Sequence, residues 1–494
     1  ALATEGKTYF LSRPRRFGKS LLLSTLRAYF EGKKELFKGL KIDKLEKDWH
    51  AHRVLHIDFN GVVFTRPGAL EDELDKQLST WEEEYHLPKG TREMYGWRFE
   101  QIVQAIYTET GRGAVVLIDE YDKPLLDVLE MDPELLNNNR EILKAFYSVF
   151  KRTDAYLRFV FLTGVTKFSQ VSVFSGFNQP KDISMYEQFE ALCGITEEEL
   201  HTQFAKPIRE MAQTENCTEE EIKLRLKKHY DGYHFSKQMT DIYNPFSVLN
   251  AFDSKDIRDF WFATGTPTYL IRLMNHFNEG IDELTGREYS LDEFVNYKAD
   301  TEYPLPMIYQ SGYLTIKNYD REMDMFLLDF PNNEVKRGFL AMVASNYLQS
   351  GQPMDSWIKR AVLSLRRGQI DQFRQMLTAF LASIPYSMRR KDEERERERY
   401  FQYTFYLLLR LMSVYTVYIE KEQSEGRVDC VIETPQFVYI FEFKLDGTAA
   451  GALQQIEDKG YAREYEADAR PVHKIGVNFS SETGTIEGWE HAIR

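Results

Sequence analysis

Apolar positions fall into two rhythms along the N-terminal third of the chain. Lys7 to Ser12 and Arg53 to Phe59 read as strands. Gly113 to Ile118 and Leu157 to Thr163 are unbroken apolar runs, the mark of strands buried on both faces of a parallel sheet. Between the strands the spacing changes to threes and fours. Lys19 to Phe30 gathers Leu22, Leu23, Leu26 and Phe30 on one helical face, and Phe99 to Tyr107 is also helical. Strands alternating with helices predict a doubly wound α/β sheet.

Further along the pattern loosens. Glu197 to Leu226 carries apolar residues at helical spacing among charged helix formers, which predicts a helical lid. The aromatic, mostly uncharged stretches Tyr230 to Phe246 and Phe260 to Tyr269 read as core packing under a loop. Gly312 to Lys317 and Met325 to Phe330 read as a two-stranded hairpin, with the wing of a winged-helix module as one use for it. Arg389 to Arg399 interleaves six bases with five acids, the signature of a solvated helix laced with i,i+4 pairs, and turns apolar from Tyr400 to Met412. Gly426 to Ile432 and Val438 to Lys444 are strands joined by a turn through Thr434-Pro435-Gln436.

Composition adds bounds. A length of 494 residues predicts about three domains, drawn at 1–190, 191–385 and 386–494, and 43% hydrophobic residues allow each a core. The net charge of −14 disfavours nonspecific nucleic-acid affinity over the whole surface, though not in a local basic groove. Cys193, Cys217 and Cys430 stand far apart, which argues for a reducing compartment and against a disulfide framework or zinc ribbon. With no stretch near 18 apolar residues and no secretory leader, the expected setting is cytoplasmic, without a membrane partner. The first strand starts almost at Ala1, so upstream residues are expected to be missing.

Two places carry candidate chemistry. Gly18-Lys19-Ser20-Leu21 ends a loop between the first strand and its helix. Amide groups at a helix start hold phosphate oxygens, Lys19 neutralises β/γ charge, and the Ser20 hydroxyl reaches Mg²⁺. The usual pattern has its first glycine where Arg13 stands, so this loop must turn differently. Asp119 ends a buried strand, placed to hold Mg²⁺ through water, and Glu120 is placed to orient an attacking water. Thr163 or Thr166, at the tip of the next strand, sits where additional-strand NTPases keep a γ-phosphate sensor. Lys167 and Arg152 are candidate phosphate contacts. In the last domain, alternation puts Glu442 and Lys444 on one face, and the hairpin can bring Asp429 beside them. Asp429 and Glu442 then form a carboxylate pair able to hold Mg²⁺, while Lys444 supplies positive charge to phosphodiester cleavage. Asp-x₁₂-Glu-x-Lys resembles the core of the PD-(D/E)XK nuclease fold. Glu420, Glu398 and the helix holding Gln455 stand nearby in sequence.

The ordered series Tyr9 to Leu21, Leu117 to Asp122, Thr163 to Ser169, Tyr230 to Tyr233, Tyr243 to Ser247, Phe262 to Pro267, Gln310 to Ile316 and Pro331 to Val335 resembles the bacterial AAA-ATPase-like family. In that family an arginine-rich, glycine-poor loop is usual, and members commonly end in a PD-(D/E)XK nuclease-like domain. The resemblance implies an N-terminal P-loop NTPase sheet, a helical or winged-helix-like middle, and a C-terminal α/β restriction-endonuclease-like domain. It implies ATP and Mg²⁺ as cofactors, with Mn²⁺ an alternative at the nuclease site. It implies nucleic acid as substrate, DNA ahead of RNA. ATPases of this class often complete the site with a neighbour's arginine, so a homo-oligomer is also in view. Two readings follow: an ATP-gated, metal-dependent nuclease, or a nucleotide-switched scaffold whose nuclease domain is latent.

Overall fold

In the computed structural model, which describes residues 2–167, 180–262, 284–295, 304–348, 354–383, 404, 408, 416–423 and 426–494, the chain divides into two compact units, Ala1–Lys336 and Arg337–Arg494. The first is built on β1 (Thr8–Ser12), α1 (Lys19–Phe30), β2 (Val54–Asp58), α2 (Ala69–Glu84), α3 (Tyr95–Thr110), β3 (Ala114–Asp119), α4 (Pro133–Arg152), β4 (Leu157–Gly164) and β5 (Lys181–Asp182). Its strands pair in parallel in the order β2-β3-β4-β1-β5. Their carboxyl ends therefore share one edge, where β1 ends in Ser12, β3 in Asp119 and β4 in Gly164.

β3 and β4 are buried on both faces, and successive side chains alternate between them. Val115 and Leu117 of β3 and Phe159 and Phe161 of β4 join Leu23, Leu26 and Phe30 of α1 in one core; Leu22, expected to face the sheet, is half-buried. Against α3, Phe99 stacks edge-on with Trp81 of α2 and with Phe146 and Phe150 of α4. Leu70, Leu74, Leu78 and Trp81 of α2 and Leu136, Leu143, Phe146 and Phe150 of α4 also recur at helical spacing, adding two helices to those expected, whereas α1 spans the expected residues.

Beyond the sheet, α5 (Glu197–Gln203), α6 (Ala205–Glu215), α7 (Glu219–Tyr230) and α8 (Pro245–Ser254) enclose a second core around Leu200, Ile208, Met211, Ile222 and Leu226. Capping boxes at Thr196–Glu199 and Thr218–Glu221 start α5 and α7. The expected hairpin forms as β7 (Thr315–Asp320) and β8 (Met325–Asp329), preceded by β6 (Arg287–Tyr289) and α9 (Leu305–Gln310). β6 adds a third strand, in the order β6-β8-β7.

The helix α10 (Asn333–Leu348) opens on Glu334, whose side chain is fully buried. Its carboxylate accepts from the Phe260 amide (2.5 Å), the Trp261 amide (2.7 Å) and the Ser247 hydroxyl (2.8 Å). Burial outweighs these donors and pushes the carboxyl up from 4.5 to about 7. The folded chain thus keeps a proton that the unfolded chain releases at lower pH. Stability should therefore fall as pH rises through that window, by about 1.4 kcal/mol per pH unit for one proton. Glu334→Gln should remove one proton's worth of that slope in urea unfolding at stepped pH. An unchanged slope would mean the carboxylate is ionised throughout.

The second unit holds α11 (Met354–Arg366), α12 (Ile370–Ala382), β9 (Thr416–Gln423), β10 (Gly426–Glu433), β11 (Val438–Leu445), α13 (Ala449–Asp458), β12 (Val472–Phe479) and β13 (Ile486–Ile493). Sheet order follows the chain, antiparallel except for the parallel β11–β12 pair, which the crossover helix α13 makes possible. Val428, Val431, Val438, Ile440, Ile456 and Tyr461 form its core. The charged run Arg389 to Arg399, with Glu398, lies outside the described residues, as does most of Tyr400 to Met412 and of Phe260 to Tyr269 beyond Phe262.

Candidate functional sites

The turn that Arg13 forces is supplied by two other residues. Arg16 (φ 67°) and Gly18 (φ 90°) take the left-handed conformation, and Arg13 does not. The Arg13 side chain is instead buried, 1% exposed, and donates to the carbonyls of Ser12 (2.9 Å), Ser184 (2.8 Å), Phe189 (3.0 Å) and Leu192 (3.2 Å). Burial lowers its pKa to about 10, so it remains a cation at neutral pH. The rest of the loop rests on aromatic rings from later in the chain. Phe17 packs edge-on against Tyr233 (centroids 4.8 Å) and Phe235 (5.6 Å). Arg13, Arg15 and Arg16 lie over Phe235, Trp261 and Phe246 at 4.1, 4.7 and 5.1 Å. The indole of Trp261 also donates to the Arg15 carbonyl (3.2 Å). The aromatic stretches expected to pack under a loop thus pack under the phosphate loop itself.

At the start of α1, Lys19 is buried, and its amine donates to the carbonyls of Arg13 (3.1 Å) and Pro14 (3.3 Å) with Glu120 at 3.6 Å. Ser20 and Leu21 are exposed on the first turn, whose amides have no acceptor within the helix. Asp119 accepts from the Thr163 hydroxyl (2.6 Å) and the Glu120 amide (3.1 Å), and Glu120 sits at φ 53° with its carboxylate toward Lys19. Lys19, Asp119, Glu120 and Thr163 are therefore brought together. Thr166 belongs to a different contact, described next, and Lys167 is paired with Asp182 (2.8 Å). Arg152 is not a phosphate contact: it precedes β4, at the far edge of the sheet, and pairs with Glu100 (3.3 Å).

Asp122 is the residue that sequence reasoning passed over. It is fully buried, and one oxygen accepts from the amides of Val165 (3.0 Å) and Thr166 (2.7 Å) and from the Thr166 hydroxyl (2.8 Å). Burial and the charge of Glu120 push its carboxyl up to about 7. A carboxyl three residues past Asp119, followed by Pro124 and leucines, was the available signal. The bond fixes the chain after β4 against the acid turn after β3, and Gly164 is the close approach that permits it. A Cβ on Gly164 would lie 2.6 Å from Asp122 Oδ1 and 2.7 Å from the Tyr121 ring. Gly164→Ala should therefore cost about 2–4 kcal/mol in thermal or urea unfolding. A loss within error of zero would show that this junction yields freely.

In the second unit, pairing of Cys430 with Phe441 carries Asp429 alongside Glu442. Asp429 accepts from the Phe443 amide (2.8 Å). Glu442 is 2% exposed; its Oε1 accepts from Gln455 Nε2, and its Oε2 is buried with no hydrogen-bond partner. Burial, then the charge of Asp429, pushes the Glu442 carboxyl up to about 7. Lys444 donates to Gln455 Oε1 (2.7 Å), so one amide from α13 bridges the acid and the base. Among the described residues no group of three or more His, Cys, Asp or Glu gathers as a metal cage. An orphaned carboxylate oxygen beside a second carboxylate does suit a divalent cation that keeps most of its waters. Glu420 lies on β9, but its side chain is outside the described residues.

Residues 1–174 match the family described as predicted AAA-ATPase, and residues 396–489 match the PD-(D/E)XK nuclease superfamily. The "uncharacterized protein in vnfD 5' region" of Azotobacter chroococcum mcd 1 is 35% identical over 496 residues, covering 99% of this chain and 92% of that protein. Among solved structures, the ORC2 protein of Aeropyrum pernix in ADPNP–ADP complexes is 12% identical over 68% of this chain and 88% of that one, with a TM-score of 0.26. The ORC1 protein of the same organism in complex with DNA is 12% identical over 93% of this chain and 89% of that one, with a TM-score of 0.22. Superpositions that loose inform neither site. No helix among the described residues is long and apolar enough to cross a membrane.

Proposed function

Because the chain belongs to a family of predicted AAA-ATPases that carry a C-terminal PD-(D/E)XK nuclease-superfamily domain, we propose that it is an ATP-gated nuclease acting on nucleic acid, DNA ahead of RNA. In this reading Gly18, Lys19, Ser20 and Leu21 hold the triphosphate. Asp119 and Ser20 hold its Mg²⁺, Glu120 orients water, and Thr163 keeps Asp119 aimed at the site by its hydrogen bond. In the second unit Asp429 and Glu442 would hold Mg²⁺ or Mn²⁺, which when bound supplies an activated water and charge neutralisation at the phosphodiester. Lys444 places a cation at that phosphate, steadied by Gln455.

The observation that carries the reading is the Glu442 carboxylate, buried with one oxygen unpartnered and next to a second acid, an arrangement that costs stability unless a cation or function compensates. A second reading, a nucleotide-switched scaffold, draws on one observation: the Lys19 amine is occupied by its own loop carbonyls and by Glu120, so the loop must let go before it holds phosphate. Cleavage of labelled single- and double-stranded DNA and RNA with Mg²⁺ or Mn²⁺, with and without ATP, tests both, with Glu442→Ala run alongside. Cutting that disappears in the variant and depends on ATP supports the nuclease. ATP binding with no cutting in any condition supports the scaffold.

A further inference from the structure

Against the first half of the phosphate loop lies a cavity of about 410 Å³, bounded by Ser12, Arg13 and Pro14 and by residues from beyond β5, the 233–235 turn and α9. That volume lies within the range of small-molecule sites. Among the described residues the rings of Tyr186, Tyr233, Phe235 and Tyr309, with the imidazole of His234, line it.

The charges on the wall narrow the occupant. Lys167 is paired with Asp182 at 2.8 Å, Lys237 with Asp324 at 2.9 Å, and Glu187 accepts from Gln238 at 3.0 Å. His234 is held between the Ile316 carbonyl (2.6 Å) and Asp241 (2.8 Å), and Arg13 is occupied by carbonyls. An ion entering the cavity would have to break one of these pairs, whereas an uncharged molecule would not. Aromatic walls favour a planar ring, which they can meet face-offset or edge-on.

The loop is the wall that this cavity shares with the nucleotide site. The carbonyls of Arg13 and Pro14 face the Lys19 amine at 3.1 and 3.3 Å, while the same two residues line the cavity, and Phe235, under the Arg13 guanidinium, lines it too. A ligand that shifts Pro14, or the Arg13 that rests on Phe235, acts on the residues whose carbonyls hold Lys19. From this geometry we propose that the cavity is a second ligand site, taking an uncharged planar aromatic molecule, whose occupancy changes nucleotide affinity. The binding half stands on the cavity alone; the linkage half rests on the nucleotide reading above.

Indole serves as the probe, followed by ligand-observed NMR and calorimetry on the full chain, with ATP titrated separately and together. Indole is expected to bind with Kd on the order of 0.1–1 mM. Leu291→Trp, at a lining position 39% exposed, should weaken it by about tenfold or more by filling the mouth. Lys19→Ala should lose ATP and keep indole. Saturating indole should change the ATP Kd by about threefold or more. No indole binding, or equal binding in Leu291→Trp, overturns the site. Mutually exclusive binding of indole and ATP also overturns it, because the cavity would then be part of the nucleotide site. An unchanged ATP Kd overturns the linkage. Indole binding by a wild-type protein that does not bind ATP would sink the nucleotide reading and leave the cavity standing.

Discussion

Arg13→Gly should abolish nucleotide binding, although it restores the glycine that a phosphate loop ordinarily has at that position. Glycine is useful where the backbone must turn left-handed, and here that work falls to Arg16 and Gly18, so a glycine at position 13 relieves nothing. What it removes is a guanidinium, 1% exposed, bonded to five carbonyls from Ser12 to Leu192, that of Glu190 among them, and lying 4.1 Å over Phe235. The Phe189 carbonyl keeps the Leu192 amide as a donor (3.0 Å), but each carbonyl left dry and unpaired costs about 1–3 kcal/mol, and the added freedom of glycine in the unfolded chain about 0.5–1 kcal/mol more. Water entering the space recovers part of this. The net loss should be on the order of 4–6 kcal/mol, a large share of the stability of an ordinary domain. Unfolding in urea and binding of a fluorescent ATP analogue would both report it. Arg13→Lys, able to reach only one or two of the carbonyls, should fall between. Wild-type nucleotide affinity in Arg13→Gly would show that the carbonyl cluster does not shape the loop.

The same residue shows why the sequence discloses some of this molecule and conceals the rest. Strands β1, β3 and β4 and helix α1 follow from local periodicity, and Gly18-Lys19-Ser20 and Asp119-Glu120 follow from where those elements end. Apart from Ser12, the carbonyl partners of Arg13 lie more than 170 residues away, so no window along the chain could convert an apparent defect into a support. Tyr233, Phe235 and Trp261 are legible as buried aromatics, but their position under the phosphate loop depends on tertiary contacts alone. Asp122, an acid close after two acids, has the sequence of a solvated turn, and only its burial in the fold sets it apart. In the second unit the site is more local. A short turn fixes the register of β10 on β11, and period-2 alternation does the rest, so Asp429, Glu442 and Lys444 converge as the spacing predicts. Only the bridge from Gln455 needed the fold.

Glu442→Gln should separate catalysis from stability in opposite directions. The wild-type carboxyl is 2% exposed, stands beside Asp429, leaves Oε2 without a partner, and is pushed up to about 7. Holding it ionised at neutral pH costs about 3 kcal/mol relative to its ordinary value of 4.5. An amide of the same shape keeps an oxygen for Gln455 and turns a donor toward Asp429 in place of a like charge. Without divalent ions at pH 7.5, melting should therefore show Glu442→Gln more stable than wild type by about 1–3 kcal/mol. The amide is a far poorer ligand for a hard cation, and several kcal/mol of lost charge stabilisation correspond to a fall in cleavage of about 10³-fold or more. A residue kept for packing would give the reverse pairing, with stability lost and any activity falling only in proportion to the unfolded fraction. A destabilised Glu442→Gln protein would assign the carboxylate to the fold rather than to the chemistry. A stabilised, inactive one would mean that this unit gives up stability to keep an acid where a phosphodiester can meet it.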